Sequence, residues 1–237
     1  MSEYKALFKK IHDLEEEDRR RIVELYLAHY DGSNETLFFS DLKNKTEILL
    51  VLYGETVVGF TTLEVYQREW EGKKIRVVYS GDTIVDRAHW GQHALAFAWI
   101  ARMGELKRIS PDIPMYWFLL VKGHRTYKYL PTFGKSFYPH WAIDRSDLKP
   151  LADALAREKF GDNYNSMAGI VEFAVSRGHL KNEIAFPTEE EKTKDDVRFF
   201  LKKNPNYLRG HELVCLCEII EENMKPLTKR IFARGML

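Results

Sequence analysis

The chain has 237 residues, 45% of them hydrophobic and 30% charged, with a formal net charge of +1. That balance suits a globular protein with a substantial core and offers no basic surplus for nucleic acid or an anionic membrane. No segment approaches the roughly 18 uninterrupted apolar residues of a membrane span, and MSEYKALFKKIHDLEEEDRRR lacks a signal peptide's apolar run, so a cytoplasmic, reducing location is expected.

In chain order, the first expected helix starts near Asp13, where DLEE has the shape of a capping box with Glu16. Glu15, Glu16 and Glu17 stand four residues before Arg19, Arg20 and Arg21, the favourable order for solvated helix pairs. Ile22, Val23, Leu25, Tyr26 and Leu27 supply the buried stripe, and Asp31-Gly32 ends it. A shorter helix follows in ETLFFSDLKNK.

The period then changes. EILLVLYGETVVGFTTLEVY reads as two strands joined at Gly54-Glu55, and a turn containing Gly72 leads into a third strand, IRVVYSGDTIV. Gly81 inside that strand signals a bulge or a close backbone approach. After Val85 the spacing becomes helical, with Trp90, Ala94, Phe97, Ala98, Ala101 and Leu106 on one face, closed by Pro111 and Pro114. PMYWFLLV is an apolar strand, and a helix or turn begins around GHRTYKYLPTF. Beyond it, LKPLADALAREKF reads as a helix, GIVEFAVS as a strand, EEEKTKDD as a solvated linker, DDVRFFLKKN as a helix and HELVCLCEII as a strand.

Cys215 and Cys217 would project to the same face of that last strand, which is poor geometry for a mutual disulfide, so both are expected as buried thiols. Two cysteines without a matching histidine pattern make a weak metal site, and no metal is expected. The chain has no Gly-x-Ser-x-Gly elbow, Walker loop, dinucleotide fingerprint or HExxH.

The order helix, helix, three strands, helix, strand, helix resembles the GNAT superfamily of acyl-CoA-dependent N-acyltransferases, most closely at VVYSGDTIVDRAHWGQHALAFAWIARM and PMYWFLLV. The likeness covers roughly residues 36–141. It implies an α/β (α+β) fold whose mixed, mostly antiparallel central sheet is flanked by helices. Residues 1–145 would form the acyltransferase core, and 146–237 an elaboration packed on the same domain. It also implies acetyl-CoA or another acyl-CoA as co-substrate, with its diphosphate at a helix N-terminus, where unpaired N–H groups and the dipole favour anions.

On that resemblance Trp90, Gly91, Gln92, His93 and Ala94 form the diphosphate turn, and Ile84 and Val85 run beside the pantetheine arm. Arg125, in the basic run KGHRTYKY, meets phosphates or serves as a solvated helix face. The turn departs from the family: Trp90 replaces its arginine and His93 its second glycine. His93 either crowds the diphosphate, donates a hydrogen bond to it, or marks a donor held differently, as on an acyl-carrier protein. Glu64 and Asp82 are the candidate bases, and Tyr127 or Tyr129 matches the family's acid; each residue also has an ordinary structural reading.

The expected activity is acyl transfer to a small-molecule amine or amino-acid-like acceptor by direct attack. The alternatives are a carrier-protein or long-chain donor, or a catalytically inactive sensor or binding module.

Overall fold

The computed structural model describes residues 4–237. In chain order the elements are β1 (Tyr4–Lys10), α1 (Glu16–His29), β2 (Tyr30–Asp31), α2 (Glu35–Leu42), β3 (Glu47–Tyr53), β4 (Thr56–Trp70), β5 (Lys73–Val85) and α3 (Ala94–Ile109). Then come β6 (Met115–Val121), α4 (His124–Tyr127), α5 (Tyr129–Phe133), α6 (Lys149–Phe160), β7 (Tyr164–Asn165), β8 (Ile170–Val171) and β9 (His179–Leu180). The chain closes with α7 (Asn182–Ala185), α8 (Glu189–Lys192), α9 (Asp195–Lys203), β10 (Glu212–Glu218) and α10 (Pro226–Met236).

The chain divides into two compact units. The first holds the residues up to Ala28, Asn34–Met115 and Pro226–Leu237; the second holds His29–Ser33 and Tyr116–Lys225. In the first, β1, β3, β4 and β5 lie side by side in that order, every neighbour antiparallel. The apolar run of β3 is buried because it is central, with β1 on one edge and β4 on the other. Both hairpins turn where expected, at Gly54-Glu55 and Glu71-Gly72. Asn34 caps α2 by accepting from the Leu37 N–H at 2.9 Å.

Helix α3 is held at several points within this unit. Buried Arg76 of β5 donates to the Leu106 carbonyl and to Ser110 Oγ, setting a cation against the helix's negative C-terminal end. Arg102 grips Glu47 of β3 through two bonds of 3.0 and 2.9 Å. Against α10 the backbones nearly touch: a Cβ on Gly104 would lie 2.1 Å from the Phe232 carbonyl oxygen, and one on Gly235 1.9 Å from that of Ala101. Glycine at both crossing points is therefore a packing requirement.

The second unit has its own strands, in the order β6, β10, β8, β7, again all antiparallel. A separate ribbon pairs β2 with β9. Cys215 and Cys217 are free, buried thiols, as expected, with burial raising both pKa values. The mixed α/β class and its antiparallel pairing match the expectation, as do the bulged β5 and the strand in HELVCLCEII.

Several local expectations do not hold. Asp13 lies in a short 3-10 turn, and α1 begins at Glu16, so the DLEE capping box is not formed. Arg19 donates to the Leu14 and Ile11 carbonyls, and Arg21 to the Val57 carbonyl and Glu24, in place of the i,i+4 glutamates. A backbone acceptor already fixed by the fold offers more than a solvated carboxylate. The α3 core stripe is Leu95, Trp99, Met103 and Leu106, while Phe97 is 38% exposed and Trp90 lies outside the helix. EEEKTKDD is no linker: Thr188 and Glu191 make a capping box for α8, and Asp195 opens α9. Of GIVEFAVS only Ile170–Val171 is strand.

Candidate functional site: the β5 bulge and the turn into α3

The ladder between β4 and β5 pairs Leu63 with Ser80 and Thr61 with Thr83, so Thr62 alone faces Gly81 and Asp82. One extra residue in β5 makes this a β-bulge, which bends the strand and increases its twist. Glycine is needed there: a Cβ at position 81 would fall 2.3 Å from Thr62 Oγ1 and 2.6 Å from Lys45 Cε. Thr62 is 1% exposed, and its hydroxyl has no hydrogen-bond partner among the described residues.

Glu64 is half-buried on β4, opposite Tyr79, two residues from Thr62 and on the same face of the ladder. Asp82 is half-buried within the bulge itself. The fold thus brings both candidate carboxylates to one stretch of the β4–β5 ladder, about 7 Å apart along it.

Past the bulge, Ile84 is buried opposite Phe60 and Val85 half-buried opposite Gly59. The Asp86 carboxylate accepts from the Ala88 N–H at 3.1 Å, and the Trp90 indole donates to the Val85 carbonyl at 2.8 Å. His89 packs between Tyr4 and Tyr53, with Tyr4 Oη 3.0 Å from its Nδ1. These anchors bring the chain from the end of β5 to α3 within eight residues.

At the start of α3, Gln92 Oε1 accepts from the Ala94 N–H at 2.6 Å and the Leu95 N–H at 3.4 Å. Gln92 therefore caps the helix that His93 precedes without a side-chain bond. The His93 and Ala96 N–H groups have no partner among the described residues. The His93 ring is exposed and stacks on Phe97, with centroids 5.6 Å apart. Trp90, at 43% exposure, carries Arg87 over its face. Gln92 Oε1 thus covers two of the amides that a helix N-terminus could offer to an anion.

The remaining sequence candidates lie in the second unit. Tyr127 is fully buried among the rings of Phe137, Trp141, Phe199 and Phe200, and its hydroxyl donates to the Pro139 carbonyl at 2.7 Å. Burial drives its pKa far up. Tyr129 is half-buried against Phe133, its pKa also raised by burial, and its hydroxyl makes no hydrogen bond among the described residues. Arg125 is engaged with Glu191 at 3.2 Å and with the Ile184 carbonyl. Beside it, buried His124 has its pKa lowered by burial and by Arg125. Arg125 and His124 thus serve packing within this unit, while Lys128 of the same run is exposed.

Lys45 and Thr62 were not legible as site residues. A lysine in DLKNKTE reads as solvated, and Thr62 as one strand residue among several. Among the described residues no group of three or more His, Cys, Asp or Glu could hold a metal ion, and no helix is long and apolar enough to cross a membrane.

No protein-family model and no curated protein matches the chain in sequence. Structural neighbours are N-acyltransferases. One is a conserved Enterococcus faecalis protein described as a probable N-acyltransferase, with TM-score 0.42, 12% identity, 66% of this chain and 44% of that one covered. An acyl-CoA N-acyltransferase from Pseudomonas aeruginosa gives 0.36, 17%, 49% and 79%. A GNAT-family N-acetyltransferase from Escherichia coli, in complex with CoA, gives 0.38, 17%, 54% and 68%. The match spans less than half of the Enterococcus chain. Likeness at these scores decides nothing about what this chain does.

Proposed function

We propose that the protein is an N-acyltransferase that moves an acyl group from acetyl-CoA or another acyl-CoA to a small amine or amino-acid-like acceptor. One observation carries the reading: a strand bulged at Gly81-Asp82 runs through a short anchored turn into the N-terminus of α3. A bulge leaves its extra residue outside the ladder's pairing, where a main-chain N–H can meet a carbonyl oxygen, and a helix N-terminus attracts phosphate. The amine nitrogen attacks the thioester carbon directly, a main-chain N–H at the bulge receives the oxyanion, and the C–S bond breaks as the amide forms. The amine's proton goes to Glu64 or Asp82, and the thiolate takes one from an acid.

Within the second unit, Tyr129 suits the acid role better than Tyr127, whose proton is held by Pro139. The proposal includes a cytoplasmic location.

The Gln92 cap favours a second reading, in which the turn satisfies itself and the protein is a catalytically inactive binding module. Thermal-shift titration with acetyl-CoA, a long-chain acyl-CoA and free CoA separates the two. At 100 times the dissociation constant a ligand stabilises by about 2.7 kcal/mol, which raises the midpoint by roughly 5–10 °C. Gln92→Ala is expected to melt lower by about 0.5–2 kcal/mol of lost cap yet bind the donor more tightly. His93→Gly tests whether that ring crowds the diphosphate. If wild type and both variants ignore every CoA species, the acyl-CoA reading is wrong.

A further inference from the structure

Lys45 is the least expected charge in the first unit. It sits in the loop between α2 and β3, and its side chain has 0% exposure. A lysine beside a sheet normally lays its stem on the apolar surface and keeps its ammonium in water. Here the stem runs inward because the loop is pinned to β4: the Thr46 N–H and Oγ1 both donate to the Leu63 carbonyl, and Thr46 Oγ1 accepts from the Val65 N–H. That clamp straddles Glu64.

The ammonium then lies 2.5 Å from an Asp41 carboxylate oxygen and 5.0 Å from the centre of the Tyr79 ring. A Cβ on Gly81 would lie 3.5 Å from Lys45 Nζ, so the charge is against the bulge. The orphan hydroxyl of Thr62 touches the same point. Asp41, by contrast, is half-exposed at 53%, so its carboxylate is hydrated where the ammonium is not.

If the stem only filled space, an uncharged chain of equal length would serve without the desolvation penalty of a buried ammonium. What the charge adds is a fixed positive field at the bulge, in surroundings where such a field is weakly screened. We propose that Lys45 is a positioning residue for acyl transfer: it braces the Gly81-Asp82 bulge and biases it towards negative charge developing there. This rests on the acyltransferase reading above. In that reaction the amine's C–N bond forms, the carbonyl oxygen takes up negative charge, and the charge returns as the C–S bond breaks and the thiolate is protonated. Lys45 exchanges no proton in the sequence.

The test measures thiol release from acetyl-CoA and longer acyl-CoAs over a panel of primary amines, with donor affinity by calorimetry and thermal midpoints recorded in parallel. Lys45→Met should lower kcat on the order of 10- to 100-fold while the donor's Kd stays within about twofold, a smaller loss than removing a direct oxyanion donor. Lys45→Arg, which keeps the charge, should recover most of the rate. Lys43→Met, on the exposed side of the same loop, should match wild type. Should Lys45→Met fail to fold, Lys45→Arg decides: a rate within about tenfold of wild type supports the proposal, and a greater loss with donor binding intact overturns it.

Wild-type turnover that Lys45→Met leaves unchanged, or a kcat loss matched by loss of donor binding, overturns the Lys45 proposal alone. Wild-type protein that releases no thiol with any donor–amine pair overturns the acyltransferase reading, and the Lys45 proposal with it.

Discussion

Tyr127 in the second unit and Thr62 in the first are both buried hydroxyls, yet their surroundings differ in kind. Tyr127 sits in a cage of aromatic rings and donates a hydrogen bond to the Pro139 carbonyl. Thr62 lies against a strand bulge and a buried ammonium, with no partner for its oxygen. A satisfied buried group is held by packing, and its loss is felt as stability. An orphan one lowers stability where it stands, and such departures gather at sites shaped for something other than the core. On this contrast the aromatic cluster around Tyr127 is architecture, and the bulge with Lys45, Thr62 and Gly81 is the place our proposals put to use.

Substitutions can break or sharpen that contrast, starting with the largest effect. Tyr127→Ala empties the aromatic cage and should destabilise by about 3–5 kcal/mol in urea unfolding. A loss under about 1 kcal/mol would show that the cage is not core.

Glu47→Gln, which removes one partner of a buried satisfied pair, should cost a similar ~3–5 kcal/mol. Burial works to raise the Glu47 carboxyl, but Arg102 and Lys10 outweigh it and hold it below its ordinary 4.5. Its contribution is therefore complete above about pH 4.5 and lost as pH falls through the lowered folded value. A stability gap between Glu47→Gln and wild type that stays constant as pH falls well below 4.5 would count against this assignment.

Gly81→Ala drives a methyl into Thr62 and the Lys45 stem and should cost about 1–3 kcal/mol. An unchanged midpoint would mean that the bulge has room to spare. Smallest, and opposite in sign, is Thr62→Val. It removes an unpaired hydroxyl at nearly constant shape and should be neutral or stabilising by up to about 1 kcal/mol. Clear destabilisation would reveal a partner for that oxygen and erase the contrast with Tyr127.

Much of the element order was legible, because period-2 and period-3.6 patterns report how strands and helices face a core. Gly81 announced the bulge for the same local reason: within a strand, glycine is worth its entropy only where a side chain cannot go. What failed was finer. The α3 stripe was misjudged because small alanines hide which face is buried, and Phe97 turned out to stack on His93 in solvent. The strand YKALFKK and the helix PLTKRIFARGM were not anticipated at all. Each is completed by distant partners, β3 for the first and the Gly104 face of α3 for the second.

Sequence by itself determined the mixed α/β class, the unbridged thiols and the bulge in β5, all set by local geometry and spacing, whereas the helix expected straight after Val85 begins only at Ala94. Tertiary structure alone decided which charges are buried and which hydroxyls are satisfied. Lys45 reads as a surface lysine until the Thr46 clamp turns it under the loop, and Tyr127 reads as an available acid until the Pro139 carbonyl accepts its hydrogen bond. The physical reason is that desolvation and hydrogen-bond pairing depend on neighbours far away in the chain, and no local pattern records them.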